Sequence, residues 1–190
     1  MHDPTNHTDE ELVALSIQNK LYFGELVTRY ERKLGAYIYR IGTLPQEDIE
    51  DLLQNIFLRV YQNLNAFNQD LQFSSWIYRI AHNETMAFFR KKKVRPQGHL
   101  QTLTDDEMAN VASELNITRD LEARDDATVL HTCIQKLPQQ YQEILVLKFF
   151  EHKSYDELSD ILELPQGTVA IRIRRAKERL RKLLNEHGYE

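Results

Sequence analysis

Apolar residues recur at intervals of three and four along most of this chain, the spacing of one face of an α-helix. Thr8-Asp9-Glu10-Glu11 fits a capping box, in which a hydroxyl and a carboxylate each satisfy the other's backbone N–H, and predicts a short helix through about Asn19. From Tyr22 to Ile41 the stripe Phe23, Leu26, Val27, Tyr30, Leu34, Tyr37, Ile38 and Ile41 predicts a long amphipathic helix, which Gly42, Thr43 and Pro45 end. A third helix follows from about Asp48 to Leu64, with Ile49, Leu52, Leu53, Ile56, Phe57, Val60 and Leu64 on one face. Asn65 to Phe73 reads as a loop. Ser74 or Ser75 then caps a fourth helix, with Ile77, Ile80, Ala81 and Phe88 as its apolar stripe. No segment sustains the period-two alternation of a half-buried strand, so the expected class is all-α.

The pattern fades between Val94 and Asp126, where only Met108 to Leu115 suggests a turn or two. Pro96 and Gly98 stop the preceding helix, and a stretch this long without pattern reads as a linker. Helical periodicity resumes over Ala127 to Lys136, Pro138 to Phe150, Ser154 to Leu162 and Gln166 to Leu184. The expected architecture is therefore two small helical domains, 8–95 and 127–185, on a flexible linker, 96–126.

The last two helices have the form of a helix-turn-helix. Ser154-Tyr155-Asp156-Glu157 is a second capping box, and Leu158, Ile161 and Leu162 point inward from the helix it starts. Glu163-Leu164-Pro165 is a corner too short for anything but two helices meeting at an angle. Gln166-Gly167-Thr168 opens the next helix, with small residues and free backbone N–H groups of the kind that favour phosphate. Val169, Ile173, Ala176 and Leu180 form its inward stripe, and Thr168, Arg172, Arg174, Arg175, Lys177 and Arg179 fall on the other faces. An apolar seam with a basic flank meets the demand of a helix lying in a DNA major groove.

Charge strengthens that reading. The 190 residues carry a net charge of −5, but the charge is segregated. Arg90-Lys91-Lys92-Lys93-Val94-Arg95 holds five bases in six positions, and residues 166–184 hold seven bases and one acid. Between these islands, residues 102–126 hold eight acids and two bases. Screening confines each island to a local field, so the distribution matters more than the sum.

Composition excludes other classes. No apolar run approaches the ~18 residues of a membrane span, and the polar N-terminus is expected to carry no secretory signal. The one cysteine, Cys133, forms neither an intrachain disulfide nor a zinc cage, and reducing cytosol is the simplest setting. The seven histidines show no metal-binding spacing, His131-Thr132-Cys133 reads as core, and there is no glycine-rich phosphate loop. No enzyme activity, metal or cofactor is expected.

Three motifs in order resemble bacterial RNA polymerase sigma factors of the extracytoplasmic-function subfamily. Asp51-Leu52-Leu53-Gln54-Asn55-Ile56-Phe57-Leu58-Arg59-Val60 is similar to their polymerase-binding helix. Phe73-Ser74-Ser75-Trp76-Ile77-Tyr78-Arg79-Ile80-Ala81-His82-Asn83, followed by the basic run, is similar to their −10 segment. Leu137-Pro138-Gln139-Gln140-Tyr141-Gln142-Glu143-Ile144, with Ser154 to Leu158 and Gly167-Thr168-Val169, is similar to their −35 reader. The resemblance implies a transcription initiation factor whose partners are core RNA polymerase, promoter DNA and an anti-sigma factor.

It also implies roles for residues. Asp51, Gln54, Asn55 and Arg59 would grip core polymerase. Gln69, Asp70 and Gln72 lie where relatives receive a flipped −10 base, and the sequence does not choose among them. Tyr78, His82 and Asn83 are expected to touch the melted strand, and Arg90, Lys91, Lys92 and Lys93 to hold its backbone. Trp76 and Phe73 divide between this role and the core. On the −35 side, Lys148, Pro165, Gly167, Thr168, Arg172, Arg174 and Arg175 would face DNA. Ala170 and Ile171 depart from the basic and small polar residues often found there. They cannot donate bidentate bonds to guanine, but they suit a thymine methyl.

Three rival classes make different predictions. A helix-turn-helix repressor would bind DNA as a dimer without polymerase. An adaptor would tolerate loss of Arg174 and Arg175. An enzyme with a DNA-binding tail would need a pocket motif.

Overall fold

A computed structural model of the chain describes residues 7–42, 44–68, 71–94 and 129–186. All regular structure among them is helical: α1 (Asp9–Gln18), α2 (Phe23–Ile41), α3 (Gln46–Asn63), α4 (Phe73–Val94), α5 (129–135), α6 (Gln139–Leu145), α7 (Tyr155–Leu162) and α8 (Gln166–Glu186). Short 3-10 turns stand at Lys20–Tyr22 and Leu64–Ala66, and α6 runs on through Val146–Phe150 in the wider spacing of a π-helix. The expected linker and the turn at 108–115 lie outside the described residues. The chain forms two compact units, one built mainly on α1, the first part of α2, α3 and α4, the other mainly on α5 to α8.

In the first unit, the periodic stripes become the core. Leu26, Tyr30 and Leu34 of α2 and Ile49, Leu52, Ile56 and Val60 of α3 are buried, and α3 packs along α4. Both ends of the Thr8 capping box are made: Glu11 N–H donates to Thr8 Oγ1 at 3.2 Å and Thr8 N–H to Glu11 Oε2 at 2.9 Å.

The start of α4 differs from expectation. The helix begins at Phe73, inside the segment read as loop, and neither Ser74 nor Ser75 precedes it. Ser75 is buried within the first turn. The N-terminal Phe73 N–H donates instead to Glu10 Oε1 of α1, at 2.9 Å. A cap from a side chain 63 positions away leaves no local signature, which is why local reading placed it on a nearby serine.

In the second unit, α6 packs against α8, and Val169, Ile173 and Ala176 of α8 are buried, as is Leu158 of α7. The Ser154 capping box is complete, with Glu157 N–H donating to Ser154 Oγ at 3.1 Å and Ser154 N–H to Glu157 Oε2 at 2.8 Å. The corner is tied by Leu164 N–H donating to Ser159 O at 3.1 Å and by Ser159 Oγ donating to Leu164 O at 2.5 Å. Its first residue, Glu163, has φ 53° and ψ 47°, left-handed backbone that costs a residue with a Cβ roughly 1 kcal/mol. The Glu163 side chain is exposed, so little packing offsets this. Glu163→Gly is expected to raise unfolding free energy by about 0.5–1 kcal/mol, read as a higher urea midpoint with unchanged slope.

Candidate nucleic-acid interface

The helix-turn-helix is held from beneath by lysines. Lys153 is only 6% exposed, and its Nζ pairs with Glu157 Oε1 at 2.9 Å. Lys148, expected at DNA, is half-buried; its Nζ donates to Lys153 O at 3.0 Å and lies 4.9 Å from the centre of the Tyr155 ring. Its charge is thus already engaged in bracing the turn before α7.

Glu157 joins the cap to this lysine network. Burial raises its pKa, but the Ser154 N–H and the Lys153 ammonium outweigh burial and hold it below the ordinary 4.5. A depressed carboxyl stabilises the fold above its unfolded pKa and loses that contribution as pH falls through the folded value. Glu157→Gln is therefore expected to lower stability at pH 7 by about 0.5–1 kcal/mol after solvent screening. In denaturant titrations, the gap to the parent protein should close in acid below about pH 4.

Helix α8 separates its two sides cleanly. Against the buried stripe stand Pro165, Gln166, Gly167, Thr168, Ala170, Ile171, Arg174 and Arg175, all exposed. A Cβ placed on Gly167 would meet nothing within 4 Å, so the helix start is open to close approach. Pro165 O accepts from Thr168 N–H at 2.8 Å and from Val169 N–H at 3.0 Å, which sets the first turn. The Arg174 side chain is 72% exposed and stands 3.8 Å from Glu178, a separation at which the pair is weak. Arg172 differs from its neighbours: it is half-buried. Across from it, burial pushes the Glu143 carboxyl of α6 up to about 7, with Arg172 opposing that rise. Arg179 covers the Tyr141 ring, 5.1 Å from its centre.

On α4 the expected residues divide. Tyr78 is 2% exposed and counts with the core, where a place on the melted strand was expected; Ile77 and Ala81 of the same helix are fully buried. An aromatic side chain at the edge of a stripe satisfies burial as readily as stacking, so periodicity did not separate the two. Asn83 and Gln72 are exposed and His82 half-buried, while Gln69 and Asp70 lie outside the described residues. Trp76 is half-buried, its ring tilted on Phe67 and Phe73 with centroids 5.2 and 5.7 Å away. In the basic run, Arg90 and Lys91 are exposed and the Lys93 side chain lies outside the described residues. Lys92 is engaged within the fold: its Nζ pairs with Asp48 of α3 at 2.6 Å and sits 5.3 Å from the Phe88 ring centre.

On α3, Asp51, Gln54, Asn55 and Arg59 share the exposed face. Asn55 Nδ2 donates to Asp51 O at 2.8 Å, and Arg59 pairs with Glu84 of α4 at 2.9 Å. Leu58, 54% exposed, lies in the middle of this face, one turn beyond Gln54 and Asn55. Selecting only polar residues missed it, although its spacing of four from Gln54 and three from Asn55 was available. An apolar centre within a polar rim is the usual anatomy of a protein–protein interface.

Comparison with known proteins shows the family. Residues 26–95 match sigma-70 region 2 and residues 127–180 match sigma-70 region 4. Over 175 residues the chain is 37% identical to the ECF RNA polymerase sigma factor SigW of Bacillus subtilis, covering 86% of this chain and 89% of that protein. Over 188 residues it is 31% identical to the RNA polymerase sigma-H factor of Pseudomonas aeruginosa, covering 95% of each. Its fold superimposes on that of CnrH, solved in complex with the cytosolic domain of CnrY, with TM-score 0.70, 25% identity and coverage of 94% and 97%. The chain belongs to the sigma-70 family, in its extracytoplasmic-function branch. It is a non-catalytic transcription initiation factor that directs RNA polymerase to promoters. Among the described residues, no helix is long and apolar enough to cross a membrane.

Proposed function

We propose that this sigma factor, bound to core polymerase in the cytoplasm, reads a promoter at two places and couples them through the 96–126 linker. Domain 127–185 docks α8 in the major groove of the −35 element. The open helix start at Gln166 and Gly167 approaches phosphate, and Arg174 and Arg175 hold the backbone. Ala170 and Ile171, both exposed, give the helix an apolar reading edge suited to thymine methyls. Pro165 shapes the entry to the groove, while Lys148 and Arg172 support the reading helix from within its own domain.

Domain 8–95 captures the melted −10 strand along α4. Gln72, His82 and Asn83 meet the bases, with Gln69 and Asp70 from the preceding segment. Arg90, Lys91 and Lys93 meet the backbone, and Lys92 anchors the helix end through Asp48. The α3 face of Asp51, Gln54, Asn55, Leu58 and Arg59 binds polymerase. A linker of this length reaches up to ~100 Å, beyond the ~70 Å of two DNA turns. Two linked contacts gain through effective concentration what each lacks alone. The net charge of −5 leaves the free protein a weak DNA binder, because polymerase is needed to orient the two basic islands. A further partner here is an anti-sigma factor that masks the free chain; CnrH, held by the cytosolic domain of CnrY, supports the capture of a chain of this fold by a second protein.

The observation that carries this reading is the two-sidedness of α8: a fully buried stripe behind an exposed, cationic and small-residue front on a capped helix-turn-helix. In vitro transcription with purified core polymerase on a randomised promoter library tests it. Transcripts should enrich two sequence elements at one spacing. Initiation without enrichment of an upstream duplex element would count against it, as would tight sequence-specific gel shifts without polymerase.

A further inference from the structure

The first turn of α1 carries acidic groups that none of the roles above uses. Glu10 Oε1 accepts the Phe73 N–H at 2.9 Å, and so caps the helix on which strand capture rests. Asp9, the neighbouring residue, accepts from Tyr30 Oη at 2.5 Å and from Arg29 Nη1 at 2.8 Å. Tyr30 in turn sets its ring edge-on to Phe73, centroids 5.5 Å apart. Phe73 packs on Phe67 and Trp76. Two adjacent carboxylates thus reach the same point by two routes, one through the backbone of Phe73 and one through its ring. That point is the first turn of α4, between Gln72 and Trp76.

We propose that Glu10 is a positioning residue for −10 strand capture, with Asp9 and Tyr30 as its support: it fixes the start of α4, and therefore the placement of Gln72 and Trp76 toward an unpaired base. The inference rests on the reading of α4 as the −10 segment. A capping carboxylate satisfies an otherwise orphan N–H and favours the positive end of the helix. Without it the first turn frays, and the groups it carries lose their fixed geometry. Polymerase binding through α3 and duplex binding through α8 do not use this turn and should be insensitive to it.

The test uses holoenzyme assembled from the full chain and a fluorescein-labelled single-stranded oligonucleotide carrying the −10 sequence enriched from the library. Glu10→Ala is expected to weaken binding of this oligonucleotide about tenfold, since an unsatisfied helix-start N–H replaces a charge-assisted bond. Affinity for core polymerase, measured by competition, and for a duplex −35 fragment should stay within about twofold of the parent. Glu10→Gln keeps an acceptor oxygen and should restore most of the oligonucleotide binding. Equal oligonucleotide binding by the alanine variant would overturn the proposal. So would a parallel loss of core and −35 affinity, which marks a general fold defect, or a failure of glutamine to rescue. If unsubstituted holoenzyme binds the −10 strand no better than a scrambled one, the reading of α4 itself falls, and this proposal with it.

Discussion

Replacing Arg174 and Arg175 together by alanine is expected to cut transcription from a cognate promoter by about ten- to hundredfold, with each guanidinium contributing about 1 kcal/mol or somewhat more through backbone or base contact. Both side chains are exposed on α8, beside a buried stripe that neither enters. The ion pair of Arg174 with Glu178 is open to solvent at 3.8 Å, so its loss costs the fold little. Thermal stability and affinity for core polymerase should therefore remain those of the parent. The salt dependence of promoter binding should flatten, by about one unit of log–log slope for each phosphate contact removed. Run-off assays across a salt series measure both effects. Unchanged transcription would place the basic front of α8 on some other partner, and the adaptor class would then stand.

Phe73→Ala is expected to have the largest effect on stability, about 3–5 kcal/mol, read as a fall in the urea midpoint. Phe73 is fully buried and lies within 6 Å of three other rings, Tyr30, Phe67 and Trp76, two of them at angles favourable to edge-on packing. Truncation removes the transfer free energy of the ring and leaves a cavity that helix ends cannot easily collapse. It also removes the wall on which Trp76 leans, so strand capture should fail even under conditions in which the variant still folds. Phe73→Leu retains most of the volume and should cost about 1–2 kcal/mol. A loss below 1 kcal/mol for alanine would show that the aromatic cluster is not a stability centre.

Charge and periodicity made the helix-turn-helix easy to read, because each of its determinants is local. The capping box of Ser154 and Glu157 spans four residues, the corner three, and the stripe of α8 repeats within single turns. The exposed face of α3, proposed to bind polymerase, was legible for the same reason, apart from Leu58, which an eye for polar groups passes over. The basic helix α4 was harder. Tyr78 and Trp76 are both aromatic and two residues apart, yet one is buried and the other half-exposed. Five bases in six positions looked equivalent, but one of them, Lys92, is committed to Asp48 across the gap between α3 and α4. Lys148 looked free and instead bonds a backbone carbonyl five residues away.

The amino-acid order alone determined the helical class, both capping boxes, the inward stripes of α2, α3 and α8, and the segregation of charge, since these follow from backbone geometry and from neighbours within two turns. Tertiary structure decided which of the similar side chains remain available to a partner. Glu10 caps a helix far along the chain, Lys92 meets Asp48, and Tyr78 turns into the core. Each is a pairing between residues distant in sequence, and only the packing of whole helices brings such groups within bonding distance.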